Sequence, residues 1–285
     1  MSERKTDVLD ILKREVVPAI GSLELVSVAY CTAAATSIVG GWAAEIEMEV
    51  SPDIVAAAEH DVIPSVGTGG IKTAAALGSL LLNSDRKRML FDEIVDESVE
   101  MALRPEVQEH VHVTVREDAG PWFVYARVHT DWGIGTAEVS GRPDEMVLLQ
   151  MAARKLWEKE PERYELEASQ MQTVRNASEA ELREILDGCS ERELTFLLKG
   201  MDDTRALLRE MDCSLGSADE IKDLAHKMEE HVRSGSRLPY MTVADSILQG
   251  NLVYLRAVAA EDDGMEQEML LRQIAMDALK QIRER

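Results

Sequence analysis

Apolar positions recur at helical spacing at the start of the chain, where Asp7 can cap a segment whose Val8, Leu12 and Val16 share one face before Pro18 and Gly21 end it. From Leu25 to Ala44 no residue is charged, and the stretch is rich in alanine. After Gly40-Gly41 the pattern changes to alternation: Ile46, Met48 and Val50 interleave with Glu45, Glu47 and Glu49, as in a half-buried strand closed by Ser51-Pro52-Asp53. The loop Pro64-Ser65-Val66-Gly67-Thr68-Gly69-Gly70 then leads into an apolar helix through Ala74, Ala75, Leu77, Leu80 and Leu81, and Ile94, Val95, Val99 and Leu103 mark another.

The strongest alternation follows. Val111, Val113 and Val115 face Trp122, Val124, Ala126 and Val128 across Asp118-Ala119-Gly120, which predicts a hairpin. Matching the apolar rows puts Val111 and Val128 on one face and His110, His112, Phe123, Tyr125, Arg127 and His129 on the other. Residues 136–140 predict a third strand. Strand signals stop after Met146, and the charged run 158–176 reads as a helix end and linker. Capping boxes at Ser178/Glu181, Ser190/Glu193 and Ser217/Glu220 each open a helix. The expected fold class is α+β: a small, mostly antiparallel sheet on alanine-rich helices in residues 1–160, a linker at 161–177, and a helical domain at 178–285.

Composition narrows the partners. Lys and Arg number 31 against 53 Asp and Glu, a net charge of −22, which disfavours nucleic acid and anionic membrane surfaces alike. The uncharged stretch is long enough for a membrane span, but Ser27, Thr32, Thr36, Ser37, Gly40 and Gly41 dilute it, so a buried helix is expected. Cys31, Cys189 and Cys213 are widely spaced, with no pattern of a disulfide framework or zinc knot. Met1-Ser2-Glu3-Arg4-Lys5 runs into the first amphipathic segment with no apolar leader, and a cytoplasmic, reduced protein is expected.

Two constellations could carry chemistry. The Gly67–Gly70 loop entering a helix can offer amide N–H groups and a helix-dipole end to an anion, although the P-loop Lys-Ser/Thr pair and the dinucleotide Gly-x-Gly-x-x-Gly spacing are both missing. His110, His112 and His129, on one face of the predicted hairpin, could approach one divalent ion; solvated surface histidines are the plainer reading.

Lys13-Arg14-Glu15-Val16-Val17-Pro18-Ala19-Ile20-Gly21-Ser22-Leu23-Glu24-Leu25, then Gly40-Gly41, Glu49-Val50-Ser51-Pro52-Asp53, the Pro64–Gly70 loop and Ala74-Ala75-Ala76-Leu77-Gly78 resemble, in order and spacing, the L-cysteine desulfidase family, related to the α domain of iron–sulfur L-serine dehydratases. The likeness continues more weakly to Leu194–Met201. The family's first loop reads Glu-Val-x-Pro-Ala-Leu-Gly-Cys-Thr-Glu-Pro, and its cysteine ligates a [4Fe-4S] cluster that acts as Lewis acid in β-elimination, giving pyruvate, ammonia and sulfide from cysteine. Ser22 stands at that cysteine's place, and a hydroxyl is a poor ligand for a soft cluster. The family's His-Thr-Asn strand end falls at Pro143-Asp144-Glu145, and its C-terminal Gly-Cys motifs have no counterpart.

What the resemblance implies is a cluster-less relative with no cofactor, binding an amino-acid-like carboxylate through Ser22, Ser65, Thr68, Gly69 and Gly70, as a homo-oligomer or with a second chain. Two alternatives stay open: an active carbon–sulfur or carbon–oxygen lyase, acting either through an unrecognised site or with a partner chain supplying the missing half, and a metal-dependent site at His110, His112 and His129.

Overall fold

The computed structural model describes residues 2–216 and 218–284. Helix α1 (Ser2–Glu15) runs into the short strand β1 (Val16–Ala19), because Pro18 cannot continue a helix and the chain turns extended. Contacts divide the chain into two units. One holds Ile20–Lys159 with Val232–Arg237, and the other Met1–Ala19, Glu160–His231 and Leu238–Arg285.

In the first unit, helix α2 (Leu23–Ser37) takes up most of the uncharged stretch, and it is buried from Leu25 through Thr36. Its two buried threonine hydroxyls cost little there because they bond back into the helix, Thr32 Oγ1 donating to the Val28 carbonyl and Thr36 Oγ1 to that of Thr32, whereas the buried Ser27 Oγ makes no hydrogen bond. Strand β2 (Ala43–Val50), helix α3 (Pro52–Ala58), helix α4 (Ile71–Leu81), a 3-10 segment at Ser84–Glu93 and helices α5 (Asp96–Ala102) and α6 (Pro105–Glu109) follow. Strands β3 (Val111–Val115), β4 (Phe123–Thr130), β5 (Gly133–Ser140), β6 (Met146–Met151) and β7 (Arg154–Glu158) complete a six-stranded sheet in the order β3-β2-β4-β5-β6-β7.

The α+β class of the sequence analysis is what the chain adopts, with one change of topology. Strand β2 lies between β3 and β4, so the two rows do not form a hairpin: Ile46 pairs in parallel with Val111 and antiparallel with Val128. Val111 and Val128 nevertheless share the buried face, with Met48, Val50, Val124, Ala126 and helix α2, as the alternation requires. The strands do not stop at Met146, since β6 and β7 extend the sheet.

In the second unit, residues 161–176, expected as a linker, form helix α7 (Pro161–Asn176), opened by a proline at its first turn. Helices α8 (Glu179–Asp187) and α9 (Glu191–Leu194) start at the capping boxes of Ser178 and Ser190; Ser217 lies outside the described residues. Helices α10 (Lys199–Glu210) and α11 (Ala218–Arg233), the last two residues of which belong to the first unit, strand β8 (Tyr240–Val243) and helices α12 (Ile247–Asp262) and α13 (Gln267–Glu284) complete the chain. Strand β8 pairs antiparallel with β1, so residues 1–19 belong to this helical unit, whereas the sequence pattern assigned them to the N-terminal domain. Among the described residues no helix is long and apolar enough to cross a membrane.

Candidate functional site

Ser22 is the N-cap of α2: its Oγ accepts from the Leu25 N–H at 3.4 Å and donates to Glu24 Oε2 at 2.8 Å. The residue before it turns left-handed, with φ +76° at Gly21. A Cβ there would stand 2.9 Å from Pro64 Cδ and 3.0 Å from Phe91, so glycine alone lets residues 20–22 close onto Pro64. The Ile20 N–H also donates to the Arg88 carbonyl. The two loops singled out by the sequence are therefore in contact, and Ser22 is fully buried at their junction.

A charged chain leads away from Ser22. Glu24 Oε2 stands 3.5 Å from Arg233 Nη1, which donates to both oxygens of Asp61 at 2.9 and 3.2 Å. The Arg233 carbonyl also accepts the Val62 N–H, so arginine and loop are joined by backbone as well as side chain. Two carboxylates face one guanidinium, which leaves this junction net negative. Arg233 carries no sequence signal of this role, because it meets Asp61 only through folding.

The Pro64–Gly70 loop is a compact turn. The Val66 N–H bonds to the Ile63 carbonyl and the Ile63 N–H to that of Thr68. Gly69 presses on the chain of Asp61, where an added Cβ would fall 1.7 Å from the carbonyl oxygen. Ser65 and Thr68 are exposed, and a Cβ on Gly67 or Gly70 would meet nothing within 4 Å, so one side of the loop is open. Gly70 caps α4 with no side-chain hydrogen bond, and no acidic residue sits in that first turn. The positive end of the α4 dipole is thus uncompensated beside the open loop.

The predicted histidine trio does not assemble. His110 closes α6, its Nδ1 lying 2.6 Å from the Glu106 carbonyl oxygen. His112 and His129 flank β2 from opposite sides, opposite Glu47 and Glu45 respectively. The carboxylates between them are the partners that the sequence analysis did not single out.

The cysteines are free. Cys31 is buried in α2, on the order of 13 Å along the helix from Ser22, and donates to the Val124 and Ala137 carbonyls; burial pushes its thiol pKa well up. Cys189 is raised by burial too, less so beside Lys5.

The chain is 23% identical over 287 residues to a UPF0597 protein of Clostridium tetani, a match covering 95% of this chain and 68% of that relative. It is 26% identical over 314 residues to a UPF0597 protein of Bacteroides fragilis, covering 98% of this chain and 69% of the relative. A shorter match, 32% over 117 residues, is to a UPF0597 protein of Bacteroides thetaiotaomicron, covering 41% of this chain and 27% of that relative. No family model and no solved structure matches the chain.

Proposed function

We propose that this protein binds a small amino-acid-like carboxylate at the open side of the Pro64–Gly70 loop, in the L-cysteine desulfidase manner but without an iron–sulfur cluster. The carrying observation is the closure of Gly21 onto Pro64, which brings the loop of the family's cluster cysteine against the glycine-rich loop. Ser22 has hard oxygen chemistry, and its hydroxyl is already held by Glu24 and the Leu25 amide. In this reading it shapes the loop and does not touch ligand. The ligand's carboxylate meets the uncapped start of α4 with Thr68 and Ser65 beside it, and its ammonium group is drawn towards Glu24 and Asp61. Net charge of −22 opposes anion capture at long range, so affinity is modest and set by the local amides.

The test is calorimetry and thermal shift with L-cysteine, L-serine and simple carboxylates. Gly69→Val is unsuitable because its side chain would strike the Asp61 backbone. Thr68→Glu places a like charge at an exposed position and leaves the fold alone. Saturable binding lost in Thr68→Glu supports the reading; equal binding by both proteins, or no binding, overturns it. Stoichiometric iron and sulfide in anaerobically purified protein, or pyruvate released from cysteine, would overturn the cluster-less part.

A further inference from the structure

The uncovered face of the sheet carries a second constellation, distinct from the loops around Ser22. Glu45 and Glu47 stand two residues apart on β2 and so point the same way. His129 on β4 is paired with Glu45, and His112 on β3 with Glu47. One ligand-competent atom from each of Glu45, Glu47 and His129 lies within 4.8 Å of the others. His129 Nε2 is 3.5 Å from Glu47 Oε1, and His112 Nε2 is 3.4 Å from Glu45 Oε1.

Those separations have a physical meaning. Four ligands placed tetrahedrally about 2.0–2.1 Å from one ion are about 3.4 Å apart, longer than a good hydrogen bond. His129 Nε2 agrees: although the ring edge is partly exposed, this nitrogen is itself buried and makes no hydrogen bond. Arg127, whose Nη1 is 3.8 Å from Glu47 Oε2, approaches the outer carboxylate oxygen and leaves the inner one free.

We infer that Glu45, Glu47 and His129 form a site for a divalent first-row transition ion, zinc above all, with water as the fourth ligand. The His129 imidazole favours such an ion over magnesium or calcium, which take oxygen ligands in larger number. Bound there, the ion joins β2 and β4 across their half-exposed face. It also turns a net negative stripe towards neutrality.

The experiment uses tag-free protein, metal-stripped and titrated with Zn²⁺ by calorimetry and with Co²⁺ by visible absorption. One equivalent is expected, with the intense Co²⁺ spectrum of a four-coordinate site and a rise in melting temperature that grows with free metal. Glu47→Gln and His129→Ala change half-exposed side chains, and each is expected to weaken binding by more than the roughly 10–100-fold that outer-shell changes cost. His110→Ala, outside the cluster, is expected to bind as wild type does. Trp42, just before β2, and Trp132, just after β4, are exposed and give an independent readout through quenching by Co²⁺. Failure of wild type to take up one equivalent overturns the assignment, as does unchanged affinity in a Glu47→Gln protein whose unfolding curve is normal.

Discussion

Arg88 is buried to within 2% of full coverage, and its Nη2 meets Asp144 Oδ1 at 2.8 Å. The same residue's carbonyl holds the Ile20 amide, so this ion pair fixes the backbone from which Gly21 and Ser22 project. Burial raises the Asp144 pKa, but the charge and hydrogen bond of Arg88, with Arg142 and Lys87 beyond, outweigh it, and the net shift is downward.

A depressed folded-state pKa stabilises the protein above the unfolded aspartate value, about 3.9, and that stabilisation is lost as pH falls below it. Asp144→Asn is expected to flatten the acid limb of unfolding free energy against pH. At neutral pH it removes the carboxylate that meets the buried Arg88 guanidinium, and the variant is expected to be less stable than wild type. Urea unfolding of both proteins from neutral to acid pH measures the two effects; parallel curves would contradict the account.

The three thiols are expected to react at separate rates. Cys31 is buried in α2 with its pKa raised, Cys189 is buried with a smaller rise, and Cys213 is half-buried with its sulfur on the Met211 carbonyl. A thiol reagent at neutral pH should modify Cys213 first and leave Cys31 untouched until the protein unfolds. Cys213→Ser should abolish the fast phase, and a fast phase surviving in that variant would place the accessible thiol elsewhere.

How far the sequence carried the fold depends on the range of each signal. Alternation at Val111 and Val128 told which face each row takes, because side-chain direction is a local property. It could not tell their neighbour. Seven residues separate β3 from β4, too many for a two-residue turn to dictate pairing, and Ile46 supplied the shared partner from more than sixty positions upstream. Strand β1 was hidden for the same reason, since its partner β8 lies over two hundred residues away. Helix α7 gives no helical signal in the sequence because its one buried residue, Val174, makes no apolar stripe. At the site, the loop of Gly67 to Gly70 was visible through its glycines. Arg233 and the carboxylates of Glu45 and Glu47 as ligands were not, because each acquires its role from a residue distant in sequence.

Glu193 closes the capping box of Ser190 and is also held by Lys5, whose Nζ is 2.9 Å away. The Lys5 hydrogen bond first, then the Ser190 backbone and hydroxyl, keep its carboxyl ionised down to about 2. Its stabilising contribution is therefore complete above the ordinary glutamate range and is lost as pH falls towards that value. A carboxyl titration followed by NMR should give a midpoint well below that of other glutamates, and Lys5→Met should move it up. Ser190→Ala removes the hydroxyl that donates to Glu193 Oε2 and is expected to move that midpoint up as well.

The last prediction sets two opposed effects against each other at Gly78. In an isolated helix, glycine to alanine gains about 0.8–1.0 kcal/mol, because alanine restricts the unfolded chain and suits the helical backbone. Gly78 lies in the middle of α4 where that helix crosses α2, and a Cβ would fall 2.2 Å from the Ala29 carbonyl oxygen. That atom is backbone in a fully buried helix, so no rotamer can yield, and the helices must separate. Separation would open the packing between Ala29, Ala33, Ala74 and Ala75, small residues that fill the interface only at short range. Overpacking of this kind costs about 1–3 kcal/mol or more, which exceeds the propensity gain. Gly78→Ala is therefore expected to lower unfolding free energy, with Gly78→Ser no better. Guanidinium denaturation of the variants decides it: an alanine variant as stable as wild type would mean that α2 and α4 do not approach as closely as described.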